Sequence, residues 1–284
     1  MIRVLGTVFA ALMGLAFGSF LNVCLTRWPA GESIVKPRSH CRNCGRTLAW
    51  WENVPLVSWL ALRGRCRTCG TWIGWRYATV EAAVAAFWAI AAWHSYSAFF
   101  PLEFAAGLMF LIWALVGLAV LDVEHLWLPD ALTLPGIALG FVWWFIQGEQ
   151  VGWALRMPPE PWGDARNAGI RLLGIAAAGG LILLNRWIYK LIRHREGLGL
   201  GDAKLMAMLA AWLGLPGALL SFAIGVVLGS LAAIVLLARR SKPATGESWA
   251  TAKLPLGTFL CIGGIVSSLW GQPIIAAYLH WAGF

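Results

Sequence analysis

Charge is what this sequence has least of. Only 12% of the 284 residues are charged, where a soluble domain of this length carries about a quarter. A water-exposed globule is therefore excluded. Acids are scarcer than bases, with 13 Asp and Glu against 22 Lys and Arg, so each acid near an apolar run carries information. Nucleophile motifs are missing too. The chain has no GxSxG, no HExxH and no Ser-His-Asp set that falls on one face. Internal repeats and low-complexity tracts are also absent. So is the strand and helix pattern of a thioredoxin-like domain.

What fills the chain is apolar: 60% hydrophobic residues, 19 Trp and 32 Gly. Aromatics gather at membrane interfaces, and glycine lets membrane helices approach closely. Apolar runs long enough to span a bilayer predict an all-α polytopic membrane protein of about eight transmembrane helices, near 4–26, 77–93, 103–121, 131–147, 168–189, 203–215, 217–237 and 254–282. The first run is read as a retained span rather than a cleaved signal, because no small-residue cleavage site precedes Arg27. A Leu215-Pro216-Gly217 turn is expected to join the short sixth span to the seventh. The 148–167 stretch, with its proline-rich 157–161 segment, reads as an external loop, and 241–250 as a polar linker. The corresponding domain division is 1–27 as a first helix, 28–76 as a loop module and 77–284 as a membrane domain.

The cations are not spread evenly. Nine lie in the 27–76 loop, five between Arg186 and Lys204, and four in the 238–253 loop. These eighteen fall on alternate loops, as retention of positive charge in the cytoplasm requires. The pattern places both termini outside. It also accounts for the net charge of +9 without a nucleic-acid partner.

The 27–76 loop carries Cys41-Arg42-Asn43-Cys44-Gly45 and Cys66-Arg67-Thr68-Cys69-Gly70, two CxxC pairs separated by 21 residues. That spacing suits a zinc ribbon with Cys41, Cys44, Cys66 and Cys69 as thiolate ligands. Each following glycine relieves a tight turn. A reducing cytoplasm disfavours disulfides. Four thiolates leave no open coordination position, so this zinc is expected to be structural. His40 reads as a solvated loop residue, and Cys24 and Cys261 as core thiols.

Two acids stand out. Asp122 ends the third span, against the negative end of its own helix dipole, an unfavourable place for a purely structural acid. Asp202 follows Gly197, Gly199 and Gly201 and opens the sixth span. Irregular backbone at that depth is tolerated where it lines a cavity or is covered by protein. Two carboxylates brought close share one proton, which suits activation of water by one and polarisation of a carbonyl by the other. Asp130 reads as a helix cap, and an N-cap is also the bland reading of Asp202. Glu81 is open between a structural and a functional role. Lys204 is open between steadying a carboxylate and snorkelling. Gly199, Gly201 and Lys204 are the expected substrate-binding residues, with the glycine backbone pairing with an extended substrate strand.

In chain order these segments resemble the prepilin peptidases. The resemblance is carried by Phe17-Gly18-Ser19-Phe20-Leu21-Asn22-Val23 with Arg27 and Pro29, and by the paired CxxC loop with Asn53-Val54-Pro55-Leu56-Val57-Ser58-Trp59-Leu60. It continues through Leu121-Asp122 to Pro129-Asp130, Gly199-Leu200-Gly201-Asp202-Ala203-Lys204, and Leu254-Pro255-Leu256-Gly257-Thr258-Phe259. It implies an aspartyl endopeptidase, with Asp122 and Asp202 catalytic, that removes the basic leader of type IV prepilins or pseudopilins at the cytosolic membrane face. It also implies N-methylation of the new N-terminus with S-adenosylmethionine, although no glycine-rich strand-turn-helix for that cofactor is visible. The chain departs from the family pattern in a long Asp130–Asp202 interval, and in Leu256 and Thr258, where Phe and Pro are more usual. A non-enzymatic zinc adaptor and a proton-coupled transporter remain open on the residues alone.

Overall fold

The computed structural model describes residues 1–97, 102–154, 163–194, 199–239 and 254–283. Among them every regular element is helical. The helices are α1 (Ile2–Arg27), α2 (Val57–Ala61), α3 (Trp75–Ser97), α4 (Leu102–His125), α5 (Asp130–Ala154), α6 (Gly163–Arg193), α7 (Leu200–Arg239) and α8 (Leu256–Trp281), with one 3-10 turn at Trp50–Asn53. Each of the eight expected spans coincides with helix. Among the described residues five stretches are long and apolar enough to cross a membrane: Ile2–Arg27, Ala105–His125, Arg166–Ile192, Leu200–Leu236 and Leu256–Trp281. Large apolar side chains stand exposed along these helices, such as Phe9 on α1, Leu173 on α6 and Ile234 on α7. Water would penalise such faces, and lipid does not.

The 148–167 stretch is not all loop. Helix α5 continues to Ala154 and α6 begins at Gly163, so the connection is shorter than expected. The proline-rich 157–161 segment, the 241–250 linker and Gly197 lie outside the described residues.

The chain forms two compact units, Met1–Gly117 and Leu118–Phe284. In the first, α1 and α3 meet through a GxxxG pair. A Cβ on Gly14 would stand 2.7 Å from the Ala85 Cα, and one on Gly18 would stand 2.8 Å from the Glu81 Cα. No side chain fits at either place, so the two backbones come as close as membrane helices can. Trp113 Nε1 donates to the Phe17 carbonyl at 3.1 Å and Trp88 Nε1 to the Met109 carbonyl at 2.9 Å.

In the second unit, α7 breaks at Gly214, whose φ of 76° puts it in the left-handed region. Glycine adopts this conformation at little cost. Pro216 then fits the first turn of the second leg, where its missing N–H is no loss. The expected sixth and seventh spans are these two legs, with the break opening one residue before Leu215. A break inside a membrane strands backbone carbonyls. Arg171 of α6 answers them, donating from Nε and Nη2 to the Ala211 carbonyl at 3.3 and 3.0 Å and from Nη2 to the Trp212 carbonyl at 2.9 Å. Trp212 Nε1 in turn reaches the Gly136 carbonyl of α5 at 2.8 Å.

Candidate active site and metal centre

Both candidate catalytic acids lie in the second unit, and both are buried: Asp122 is 6% exposed and Asp202 8%. Asp122 sits in the last turn of α4. The chain then turns at Leu126, a non-glycine residue at φ 51° whose N–H closes on the Asp122 carbonyl at 2.9 Å. Such a conformation costs about 1–3 kcal/mol. The turn leads to Leu128 and the start of α5.

Helix α8 meets the Asp122 carboxylate end-on. The Thr258 N–H, an orphan donor of the first turn of α8, donates to Asp122 Oδ2 at 2.7 Å. Thr258 Oγ1 lies 3.2 Å from the same oxygen and 3.0 Å from the Ala119 carbonyl. Asp122 therefore opposes the dipole of its own helix but sits on the favourable end of another. The backbone contact requires any residue but proline at position 258, and the hydroxyl contact requires threonine or serine. Proline, more usual there in the family resembled, has no N–H to give.

Asp202 is the third residue of α7, and its Oδ2 accepts the Gly199 N–H at 3.1 Å. It reaches back to the backbone as the acid of a capping box does, rather than occupying the N-cap position. Gly201 lies inside the first turn of α7. Its backbone is helical, so the expected pairing of Gly201 with an extended substrate strand is corrected. Its smallness serves packing instead. A Cβ on Gly201 would lie 3.0 Å from the Leu128 Cβ, and a Cβ on Gly257 would lie 2.9 Å from both Leu128 Cδ1 and Asp122 Oδ2. Leu128 is thus the shared wall between the α7 and α8 N-termini.

Asp130 does not cap. It is the first residue of α5, and the Leu132 and Thr133 N–H groups both close on the Pro129 carbonyl at 3.1 Å. The Asp130 carboxylate instead pairs with Lys204 Nζ at 2.5 Å, half exposed. Lys204 is thereby tied to the start of α5. Thr258, Leu128, Gly257 and Arg171 were not singled out by sequence reasoning as site or support residues. The Thr258 departure from the family pattern was the one available signal.

The four cysteines lie in the first unit. Each CxxC forms the same knuckle. The Cys41 N–H donates to the Arg46 carbonyl and the Gly45 N–H to the Cys41 carbonyl, while Cys66, Thr71 and Gly70 repeat the pattern, all at 2.9 Å. Gly45 and Gly70 adopt φ of 70° and 68°, which accounts for glycine after each pair. The four Sγ atoms lie within 4.8 Å of one another, with Cys41 and Cys69 at 3.7 Å. Tetrahedral zinc with four thiolates needs sulfurs about 3.8 Å apart, so the set fits a metal ion of that size.

The thiols also differ in acidity. Hydrogen bonds from the Thr71 hydroxyl and backbone, and from the Asn43 amide, hold Cys69 down to about 5. A backbone hydrogen bond from Arg46 favours the Cys44 thiolate, but desolvation and the neighbouring thiols outweigh it and push Cys44 up to about 11. Four adjacent thiols cannot all ionise without a cation among them. His40 stays out of the set, with Nδ1 3.1 Å from the Arg38 carbonyl. The first knuckle is braced by Arg46, which bonds Glu52 at 2.6 Å and holds that carboxyl below its ordinary range.

A third feature was not anticipated. Beneath the cysteine module, the first unit holds a cavity of about 490 Å³. Glu81 and Asn22 line it. The Glu81 carboxylate accepts the Leu56 N–H at 2.8 Å, and Leu56 takes φ 56° where it does so. Asn22 is 2% exposed, donates from Nδ2 to the Tyr77 carbonyl at 3.0 Å, and leaves Oδ1 without a partner.

Fold and site together define a polytopic helical membrane protein with two buried carboxylates and a four-cysteine module. Residues 12–95 match the model of the bacterial Peptidase A24 N-terminal domain, and residues 109–234 match that of the type IV leader peptidase family. Proteins called prepilin leader peptidase/N-methyltransferase align along nearly the whole chain. The one from Stutzerimonas stutzeri is 34% identical over 298 residues, covering 96% of this chain and 93% of the relative. That from Pseudomonas aeruginosa is 36% identical over 302 residues, again covering 96% and 93%. That from Xanthomonas campestris is 34% identical over 312 residues, covering 98% and 96%. The chain belongs to the type IV leader peptidase family. No solved structure matches it significantly.

Proposed function

We propose that the protein is a membrane aspartyl endopeptidase that removes the leader peptide of type IV prepilins or pseudopilins at the cytosolic face of the inner membrane and methylates the new N-terminus. The observation that carries this reading is two buried carboxylates, Asp122 bonded to the start of α8 and Asp202 in the first turn of α7, where both helix starts pack on Leu128, in a chain of this family. One carboxylate takes a proton from water. The hydroxide adds to the scissile carbonyl, whose oxygen receives the proton held by the other. The intermediate collapses, the C–N bond breaks, and the leaving amine takes up the proton first drawn from water. The two helix N-termini beside the acids supply backbone donors that need no reorganisation as charge moves.

Asp122→Asn and Asp202→Asn should each lower cleavage by at least about a thousandfold, while the protein still inserts in the membrane. Mass spectrometry of a prepilin incubated with detergent-solubilised enzyme measures this. Cleavage by either variant within tenfold of wild type would remove the aspartyl mechanism.

The metal of the four-cysteine set is zinc in this reading, held by Cys41, Cys44, Cys66 and Cys69 in a structural role. S-adenosylmethionine supplies the methyl group when bound. Eight crossings with both termini periplasmic follow from the alternation of basic loops, and the 28–76 module then lies in the cytosol.

A further inference from the structure

We propose that the segment Asn53–Leu62 is a wedge set into lipid. Its Val57 and Leu60 face rests, together with Trp72 and Trp75, among the phospholipid headgroups and upper acyl chains on the cysteine-module side of the membrane.

The linear pattern already singles this segment out. The 27–76 loop holds nine cations, yet the ten residues from Asn53 to Leu62 carry no charge, between Glu52 and Arg63. The fold then brings them to membrane depth. Helices α1 and α3 run antiparallel in a fixed register, with Gly18 against Glu81, Gly14 against Ala85 and Asn22 Nδ2 on the Tyr77 carbonyl. Glu81 is therefore level with Gly18, which lies nine residues inside the Arg27 end of α1, or about 13 Å of helix rise. The Leu56 N–H donates to Glu81 Oε2 at 2.8 Å, so the start of α2 reaches inward past the end of that span. The Ser19 and Asn22 side chains bond the same carboxylate, which ties the wedge to α1 as well as to α3.

Backbone at that depth has no water to bond and must be satisfied within the protein. The turns of this segment meet that demand. The Val57 N–H donates to the Pro55 carbonyl at 2.6 Å, Ser58 to Val54 at 3.0 Å, Leu60 to Leu56 and Leu62 to Ser58 at 2.9 Å, and Gly64 to Trp59 at 2.8 Å. Val57 and Leu60, three apart on one helix face, stand 62% and 65% exposed. Trp59 links α2 to the start of α3. Its ring lies 4.7 Å from that of Trp75 and 5.8 Å from that of Trp72, and its Nε1 donates to the Gly74 carbonyl at 3.1 Å. Gly64, at φ 66°, lets the chain leave the wedge close to Trp72, whose ring would stand 2.6 Å from a Cβ there. Trp72 and Trp75 stay exposed, as tryptophan does at a membrane interface.

Continuity makes lipid the occupant. Phe17 and Phe20 of α1 stand exposed beside Gly18, the level of Glu81, so lipid already reaches this depth of the unit. An uncharged helix face with tryptophan beside it suits the headgroup boundary. The module is then fixed to the membrane at a third point besides α1 and α3.

The test uses the full-length, zinc-loaded protein in nanodiscs of phosphatidylethanolamine and phosphatidylglycerol. The photoreactive residue p-benzoylphenylalanine replaces Leu60 in one preparation and Thr68, exposed in the second knuckle, in another. After illumination, intact mass is expected to show phospholipid adducts at position 60 at least fivefold above those at position 68. A smaller ratio, or adducts of position 60 with a second copy of the chain or with added prepilin in place of lipid, would overturn the wedge. As a second measurement, Val57→Asp combined with Leu60→Asp should be cut by added protease within residues 53–64 at least tenfold faster than wild type, with zinc content unchanged. A smaller increase at unchanged zinc would show that this face meets water and would overturn the proposal. If the double variant loses zinc, the crosslinking yields decide.

Discussion

At the residue scale, Asp122 and Thr258 are separated by 136 positions, yet one oxygen of the acid meets both the N–H and the hydroxyl of the threonine. Hydrogen bonds to a charged group contribute about 1.5–3 kcal/mol, and loss of orientation shows in rate. Thr258→Pro removes both donors but suits the first turn of a helix. It should lower kcat/KM for leader cleavage about tenfold with little change in thermal stability. An unchanged kcat/KM would mean that other contacts hold Asp122. Lys204 offers a contrast. Its partner Asp130 is exposed, and such pairs contribute about 0–1 kcal/mol. Lys204→Ala should therefore leave stability nearly intact, and a large rise in KM for prepilin would assign it a substrate contact beyond that ion pair.

At the element scale, the starts of α7 and α8 pack on the turn after α4 through glycines that admit no side chain. Gly201→Val would drive a branched Cβ into Leu128 and should abolish most cleavage. Pairing it with Leu128→Ala should restore a measurable part. Cleavage by Gly201→Val at the wild-type rate would show that the contact is unimportant. The break in α7 has its own dependency. Arg171→Leu leaves the Ala211 and Trp212 carbonyls without their donor, a loss of about 2–4 kcal/mol across two buried groups. The melting temperature in detergent should fall clearly. An unchanged value would mean that another group or water satisfies the break.

At the scale of the whole molecule, the proposed topology and metal content can be measured directly. An alkaline phosphatase fused after the last residue should be active, and one fused within the 28–76 module inactive; the reverse pattern would invert the topology. Purified protein should carry one zinc per chain by elemental analysis. Replacing both Cys41 and Cys66 by Ser should abolish it and make the 28–76 segment sensitive to proteases, because two knuckles that share one ion cannot stay together without it. Zinc-free wild type with four freely alkylated thiols would count against the module.

Much of this protein is written in its linear pattern. The scarcity of charge and the length of the apolar runs determine a helical membrane protein, because backbone groups in lipid must be satisfied within each segment. Cysteine spacing determines the knuckles, because their hydrogen bonds close within six residues. The two acids were legible as helix-end carboxylates for the same local reason. What surrounds them was not. That Asp122 meets the start of α8, that Gly201 is helical and packs on Leu128, that Asp130 pairs with Lys204 rather than capping, and that Arg171 answers the α7 break are decided by how distant helices dock. So is the cavity that Glu81 and Asn22 line. Periodicity and spacing act over a turn or two of chain, whereas the partners of these groups lie tens to more than a hundred residues away, and only packing brings them within hydrogen-bonding distance.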